Sequence, residues 1–370
     1  MTSSSSRSLL LAARPALQLN VLLGTGVWLS IIFSGALKRV FQLALSEGYA
    51  AARYTGIPGL DTLTSFHRTA HLTTSAGAPT PRTLQIVHLF CGLGSIWTAM
   101  ILETCRQKSL PQVLRHTLKW HLANMWIGPH VITPLYCLLH LQPPGTLSGD
   151  SEDTVRSNKP LIDYLVPLKV LTFVLPVALM HLPGSQNPPD TVKVHLAMLI
   201  HTWPLWVVGA AYLAQERRNR ILVRPTPSAP REQQQQLRSV YQWAFYAASA
   251  SHLVTMFWCL SLGEEASASA RLQTMFVPPL PRTEQLIAHP REPIYFVTKW
   301  GNALCASAVC IWASVAYLRT CKLHAAAAAA AVPSMPLSLL VLKLSWRMVV
   351  LGPYAVAVQL LIWKHDVLSV

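Results

Sequence analysis

Residues Leu84–Leu102 read LQIVHLFCGLGSIWTAMIL, an apolar run with no charged side chain and only Gln85, His88, Ser95 and Thr98 as polar interruptions besides glycine. A helix needs about 20 such residues to cross roughly 30 Å of hydrocarbon. Lipid offers backbone N–H and C=O groups no water, so a run of this kind must satisfy itself internally as a helix. Outward from it, seven further runs repeat the pattern: Val21–Leu37, Leu118–Leu141, Tyr164–Leu182, Val194–Leu213, Val240–Leu262, Phe296–Leu318 and Met348–Trp363. The expected fold is all-α, a polytopic integral membrane bundle of seven to eight transmembrane helices.

Composition agrees. The 370 residues are 52% hydrophobic and 12% charged, with a mean hydropathy of +0.35, which excludes a disordered chain and argues against an ordinary soluble domain. The formal charge of +15 lies mostly in loops, with Arg217, Arg218, Arg220 and Arg224 the densest cluster. Positive loops mark the cytosolic side of a membrane protein, so nucleic acid is not an expected partner. Lys and Arg favour the loops after the first, third, fifth and seventh runs as cytosolic. The chain divides into a polar N-terminal tail at 1–18 and one bundle at 19–366, in which 217–238 is a Pro- and Gln-rich loop and 325–331 a low-complexity alanine run. The seven cysteines form no CxxC pair and read as small hydrophobes. Prolines 129, 134, 176 and 204 fall inside runs, where each removes a helix hydrogen bond and opens a kink. No pair of Gly/Pro-broken runs repeats between the two halves, as an inverted-repeat transporter would show.

Acids near the runs are few. Glu103 ends the second run in Leu102-Glu103-Thr104-Cys105-Arg106, with Arg106 at i+3 as a possible ion partner. Asp61 follows Gly56-Ile57-Pro58-Gly59-Leu60, a rigid turn, and Asp366 closes the last run. Each also reads as an interfacial charge at a helix end. Among the 14 histidines, His121, His130, His140, His195, His201 and His252 lie in or beside runs. Their spacing is irregular for paired haem ligation, and His67 with His71 lacks a third zinc ligand. Trp126, Tyr136, Trp203, Trp206 and Trp300 are interface anchors, core filling, or walls for a cationic intermediate, since a dry aromatic face attracts positive charge by up to about 2 kcal/mol. There is no Asp-Asp-x-x-Asp run for magnesium, no phosphate loop and no nucleophile elbow. Neither a metal nor a cofactor is expected.

Read in order, several segments resemble the fungal membrane-bound terpene cyclases of secondary-metabolite clusters, of the ascochlorin, ascofuranone and paxilline type. They are Gly56–Asp61, Glu103-Thr104-Cys105-Arg106, Val131–Tyr136, Pro176–Leu182, Trp203-Pro204-Leu205-Trp206, His252, Phe276-Val277-Pro278, and the closing Gly352-Pro353 with Trp363 and Asp366. Two ends depart from the family pattern by lacking an acid, Thr298-Lys299-Trp300-Gly301 and Trp363-Lys364-His365-Asp366-Val367, which leaves Asp61 and Glu103 as the intact pair. The resemblance implies protonation of an epoxide or alkene on a prenylated intermediate, then cation cyclisation and proton loss, in the endoplasmic reticulum membrane. Glu103 and Asp61 would serve as acid and base. Trp126, His130, Tyr136, Trp203, Trp206, His252 and Trp300 would line the substrate site. A carboxyl group in a water-poor setting keeps its proton and suits general acid catalysis, and a lipophilic terpenoid would reach such a site from the bilayer. The rival from another class is a non-enzymatic transporter or accessory protein that binds a lipophilic metabolite.

Overall fold

The computed structural model describes residues 4–46, 61, 81–106, 116–141, 159–180, 190–220, 230–261, 267–280, 282–289, 292–328 and 337–368. Among the described residues the structure is helical and has no strand. The helices are α1 (Ser4–Phe33), α2 (Ala36–Ser46), α3 (Pro81–Arg106), α4 (Thr117–Ile127), α5 (Pro129–His140), α6 (Lys159–Lys169), α7 (Leu175–Met180), α8 (Asp190–Arg220), α9 (Pro230–Ser261), α10 (Ala268–Phe276), α11 (Thr283–Ala288), α12 (Glu292–Ala328), α13 (Leu337–Leu351) and α14 (Pro353–Leu368). A π-helical segment, Val170–Val174, joins α6 to α7.

Among the described residues five stretches are long and apolar enough to cross a membrane: Leu9–Phe33, Leu84–Arg106, Leu161–Met180, His195–Ala214 and Glu292–Leu323. The outward faces carry Phe33, Trp206, Tyr212, Phe257, Leu342 and Trp346, all more than half exposed. Large apolar side chains turned outward in this number are what a protein surrounded by lipid presents and a water-soluble one avoids. The chain is a membrane-associated helical bundle.

Boundaries differ from the sequence expectation at several points. Helix α1 begins at Ser4, so residues 4–18 extend the first apolar helix rather than forming a separate tail. Helices α8 and α9 reach Arg220 and start at Pro230, which shortens the expected loop from both sides, and α12 runs into the alanine tract as far as Ala328. Expected run Leu118–Leu141 is two helices of 11 and 12 residues broken at Gly128. The last run is likewise broken at Gly352. Gly56–Leu60, His67 and His71 lie outside the described residues.

Helix α3 is the centre: 83% of its apolar window is buried, and it packs against α9, α12 and α14. Two glycines on it let its neighbours come close, as small residues do between membrane helices. A Cβ at Gly92 would stand 2.3 Å from the Tyr354 ring of α14, and one at Gly94 2.8 Å from the Phe173 ring of the π segment. Around this axis α12 packs on α1, α5 and α14, and α8 on α6.

Candidate functional site

Between α1, α3, α4, α5, α8 and α12 lies a pocket partly open to the outside. Most of its wall is apolar, including Ile86, Leu89, Leu93, Met125 and Ile294. Its polar side chains are few, and one of them, Thr298, donates its hydroxyl to the Ile294 carbonyl at 2.8 Å. His130, fully buried, has no partner on either ring nitrogen. Asn124 accepts a hydrogen bond from the Thr133 hydroxyl on Oδ1 at 2.9 Å, so its amide nitrogen is the free end, and Nδ2 has no partner. Trp97 Nε1 is likewise unpartnered. His201 bonds through Nδ1 to the Ala197 carbonyl at 2.8 Å.

Local sequence explains how His130 reaches the wall. Gly128 has φ +118, which side chains rarely allow. A Cβ there would also lie 2.6 Å from His130 Cε1, so glycine is needed for both the turn and the seat of the ring. Pro129 follows at the first helical position, where its missing N–H costs nothing. Trp28 of α1 closes the other side, its ring 5.6 Å from His130 and its Nε1 donating to the Ile127 carbonyl at 2.6 Å.

An aromatic layer backs the cavity. Trp97 stacks on fully buried Trp203, centroids 6.2 Å apart at 14°, and His121 lies 5.7 and 5.6 Å from the two rings. Beyond it Lys169 of α6 is fully buried, donates to Thr98 Oγ1, and sits 4.7 Å over Trp203 and 6.0 Å from both Phe173 and Trp243. No carboxylate among the described residues pairs with it. A buried lysine next to a π-helical turn is conspicuous, because both cost stability and both concentrate at functional positions.

A second polar centre surrounds Glu103. Its carboxylate is fully buried: Oε2 takes the Lys364 ammonium at 2.5 Å, and Oε1 accepts from the Tyr241 hydroxyl at 2.8 Å. Arg106 and His140 stand near enough to act on the same charge. Tyr136 shares a 3.0 Å hydrogen bond with Thr104, and His140 Nδ1 accepts from Trp312 Nε1 at 3.1 Å. Glu103 lies six residues past Trp97 on α3, about 9 Å along the axis at 1.5 Å per residue, and is not part of the cavity wall.

The expected site residues therefore separate. His130 lines the cavity; Trp203 and Trp126 stand one layer behind it, Trp126 with its ring 5.7 Å from His201. Glu103 and Tyr136 belong to the second centre. Trp300 bonds the Pro279 carbonyl at 3.0 Å, beside the cavity residue Val297. His252 faces His88 across a 3.1 Å contact, and its Nε2 meets the Val349 carbonyl. Trp206 is 52% exposed on the outer face, bonded only locally to Thr202. Asp61 is half-buried and helical. Sequence reasoning did not single out Asn124, Lys169, Lys364 or Tyr241; the available signal was a polar group inside or beside an apolar run. Among the described residues no group of three His, Cys, Asp or Glu side chains is arranged around one point as metal ligands would be.

A CtvD domain matches residues 36–370. The chain belongs to the CtvD family. Among the relatives of this chain, "Terpene cyclase sdgD" of Emericella nidulans is 25% identical over 320 residues, covering 85% of this chain and 80% of its own. "Terpene cyclase ascI" of Acremonium egyptiacum is 25% identical over 74% of this chain and 70% of its own. "Terpene cyclase atmA" of Aspergillus flavus is 22% identical over 74% and 73%. No solved structure matches the chain.

Proposed function

We propose that this CtvD protein is a membrane-bound terpene cyclase that protonates an epoxide or alkene of a prenylated, meroterpenoid-type intermediate and guides the resulting cation to a ring. The observation that carries the reading is the cavity. It is walled by apolar and aromatic side chains, which tolerate a cation without trapping it. Relatives with the cyclase name favour catalysis over carriage of a metabolite. We further propose seven to eight crossings, adding α9 and the helix pairs broken at Gly128 and Gly352 to the five apolar spans, and an endoplasmic reticulum location.

Glu103 and Asp61 are our assignment for the acid and its partner. Among the described residues Glu103 is the one fully buried carboxylate. Transfer of the shared proton from Lys364 Nζ to Glu103 Oε2 across their 2.5 Å contact turns an ion pair into a neutral acid and a neutral amine, adding no net charge to the interior. Delivery then requires the reacting end of the substrate to pass Trp97, or a relay through the side chains between. The test is incubation of microsomes containing the full chain with an epoxyfarnesylated phenol. The expected product is a cyclised isomer of unchanged mass. Glu103→Gln and Asp61→Asn should each lower turnover about 10²-fold or more, the usual scale of general acid catalysis, at equal protein level, with Glu152→Gln as control. Turnover within about threefold of the unsubstituted protein in both variants sinks the assignment of the acids.

A further inference from the structure

A cation cascade that returns an isomer must end by giving up one proton, and something in the site must accept it. The polar atoms of the cavity wall differ in this respect. Asn124 offers an N–H₂ group and Trp97 an N–H; both only donate, and the Thr298 hydroxyl, whose proton goes to the Ile294 carbonyl, is far too weak a base. His201 is engaged through Nδ1 with the Ala197 carbonyl. His130 is engaged through neither nitrogen, so whichever tautomer it adopts, one lone pair is uncommitted. The ring is fully buried, and among the described residues no carboxylate contributes to the wall of the cavity. A resting imidazolium there would be a cation in hydrocarbon without a counter-ion, a cost of several kcal/mol. The resting ring is neutral.

Resting on the cyclase reading, we propose that His130 is the base that terminates the cascade. In that step the C–H bond beside the cationic carbon breaks, its electron pair becomes the second bond of a new C=C, and the proton goes to the uncommitted ring nitrogen. The positive charge is already in the cavity and only moves from carbon to nitrogen, so the absence of a counter-ion does not oppose the transfer. The substrate loses one proton for the one it gained, which keeps the product an isomer, and the imidazolium passes its proton to solvent water as the product leaves. Placement follows from packing alone: Gly128 makes room for the ring and Trp28 holds its face. His130 spends neither ring nitrogen on a hydrogen bond, although leaving a buried polar atom unpaired is costly.

The experiment compares product ratios from an epoxyfarnesylated phenol for the unsubstituted full chain, His130→Phe, which keeps an aromatic ring without a lone pair, and His130→Asn, which is too small to overfill the seat. The expected result is continued substrate consumption with the native alkene falling at least tenfold as a fraction of product, replaced by a hydrated alcohol or by isomeric alkenes. An unchanged ratio in either folded variant overturns the proposal. So does loss of all consumption in both at normal protein level, which would move His130 to initiation, or a shifted ratio in His201→Phe alone, which would move the base to His201. An unsubstituted protein that makes no cyclised isomer removes the cyclase reading and this inference together; one that cyclises beside unchanged variants removes only the inference.

Discussion

Breaking the Lys364–Glu103 pair is the perturbation whose size follows most directly from the structure. The two groups meet at 2.5 Å with side-chain exposures of 7% and 0%, so solvent screens the contact little. Lys364→Met removes the ammonium from Oε2 and leaves the carboxylate the Tyr241 hydroxyl on Oε1 and the field of Arg106. Removing one partner of a buried ion pair costs about 3–5 kcal/mol, because the other charge stays behind uncompensated. Glu103→Gln should cost a comparable amount, since it strands the ammonium. Replacing both removes both stranded charges and is often close to neutral. The double variant Glu103→Gln/Lys364→Met should therefore be more stable than either single one, with a coupling of about 3 kcal/mol or more. The assay is a double-mutant cycle on detergent-solubilised protein, reading thermal or denaturant midpoints. Costs that add to within about 0.5 kcal/mol, the behaviour of independent sites, would refute the pair as a buried interaction.

Other outcomes test the cavity and the chemistry. Trp97→Leu keeps an apolar side chain but removes the π face that lines the cavity and stacks on Trp203; turnover should fall by up to about 30-fold, the equivalent of about 2 kcal/mol of cation–π attraction, while Trp206→Leu on the outer face should stay within about threefold, and the reverse order would refute the placement of the site. Since the sequence carries no Asp-Asp-x-x-Asp motif, cyclisation should persist in EDTA; loss on chelation with recovery in Mg²⁺ would replace proton initiation by metal-assisted ionisation.

The sequence by itself determined that the chain is a helical membrane bundle, because a stretch of about 20 apolar residues is a local property that needs no partner to be recognised. It also singled out Glu103, since a carboxylate abutting such a run is expensive wherever it points, and Pro129 was visible as a kink inside a run. Only the tertiary structure decided what these residues meet. Glu103 pairs with Lys364, 261 positions away, while Arg106 three residues on adds its field without taking that place. Trp203 turns inward and Trp206, three residues on, turns outward, a difference no hydropathy pattern could predict when lipid and protein interior are equally apolar. His130 and Asn124 became the polar floor of one cavity because a left-handed turn at Gly128 and close packing of α1 and α12 brought them to a common space. Periodicity finds helices in a membrane, but the inward face of each is set by where small residues let neighbours approach and where buried polar groups find partners, and both are properties of the assembled bundle.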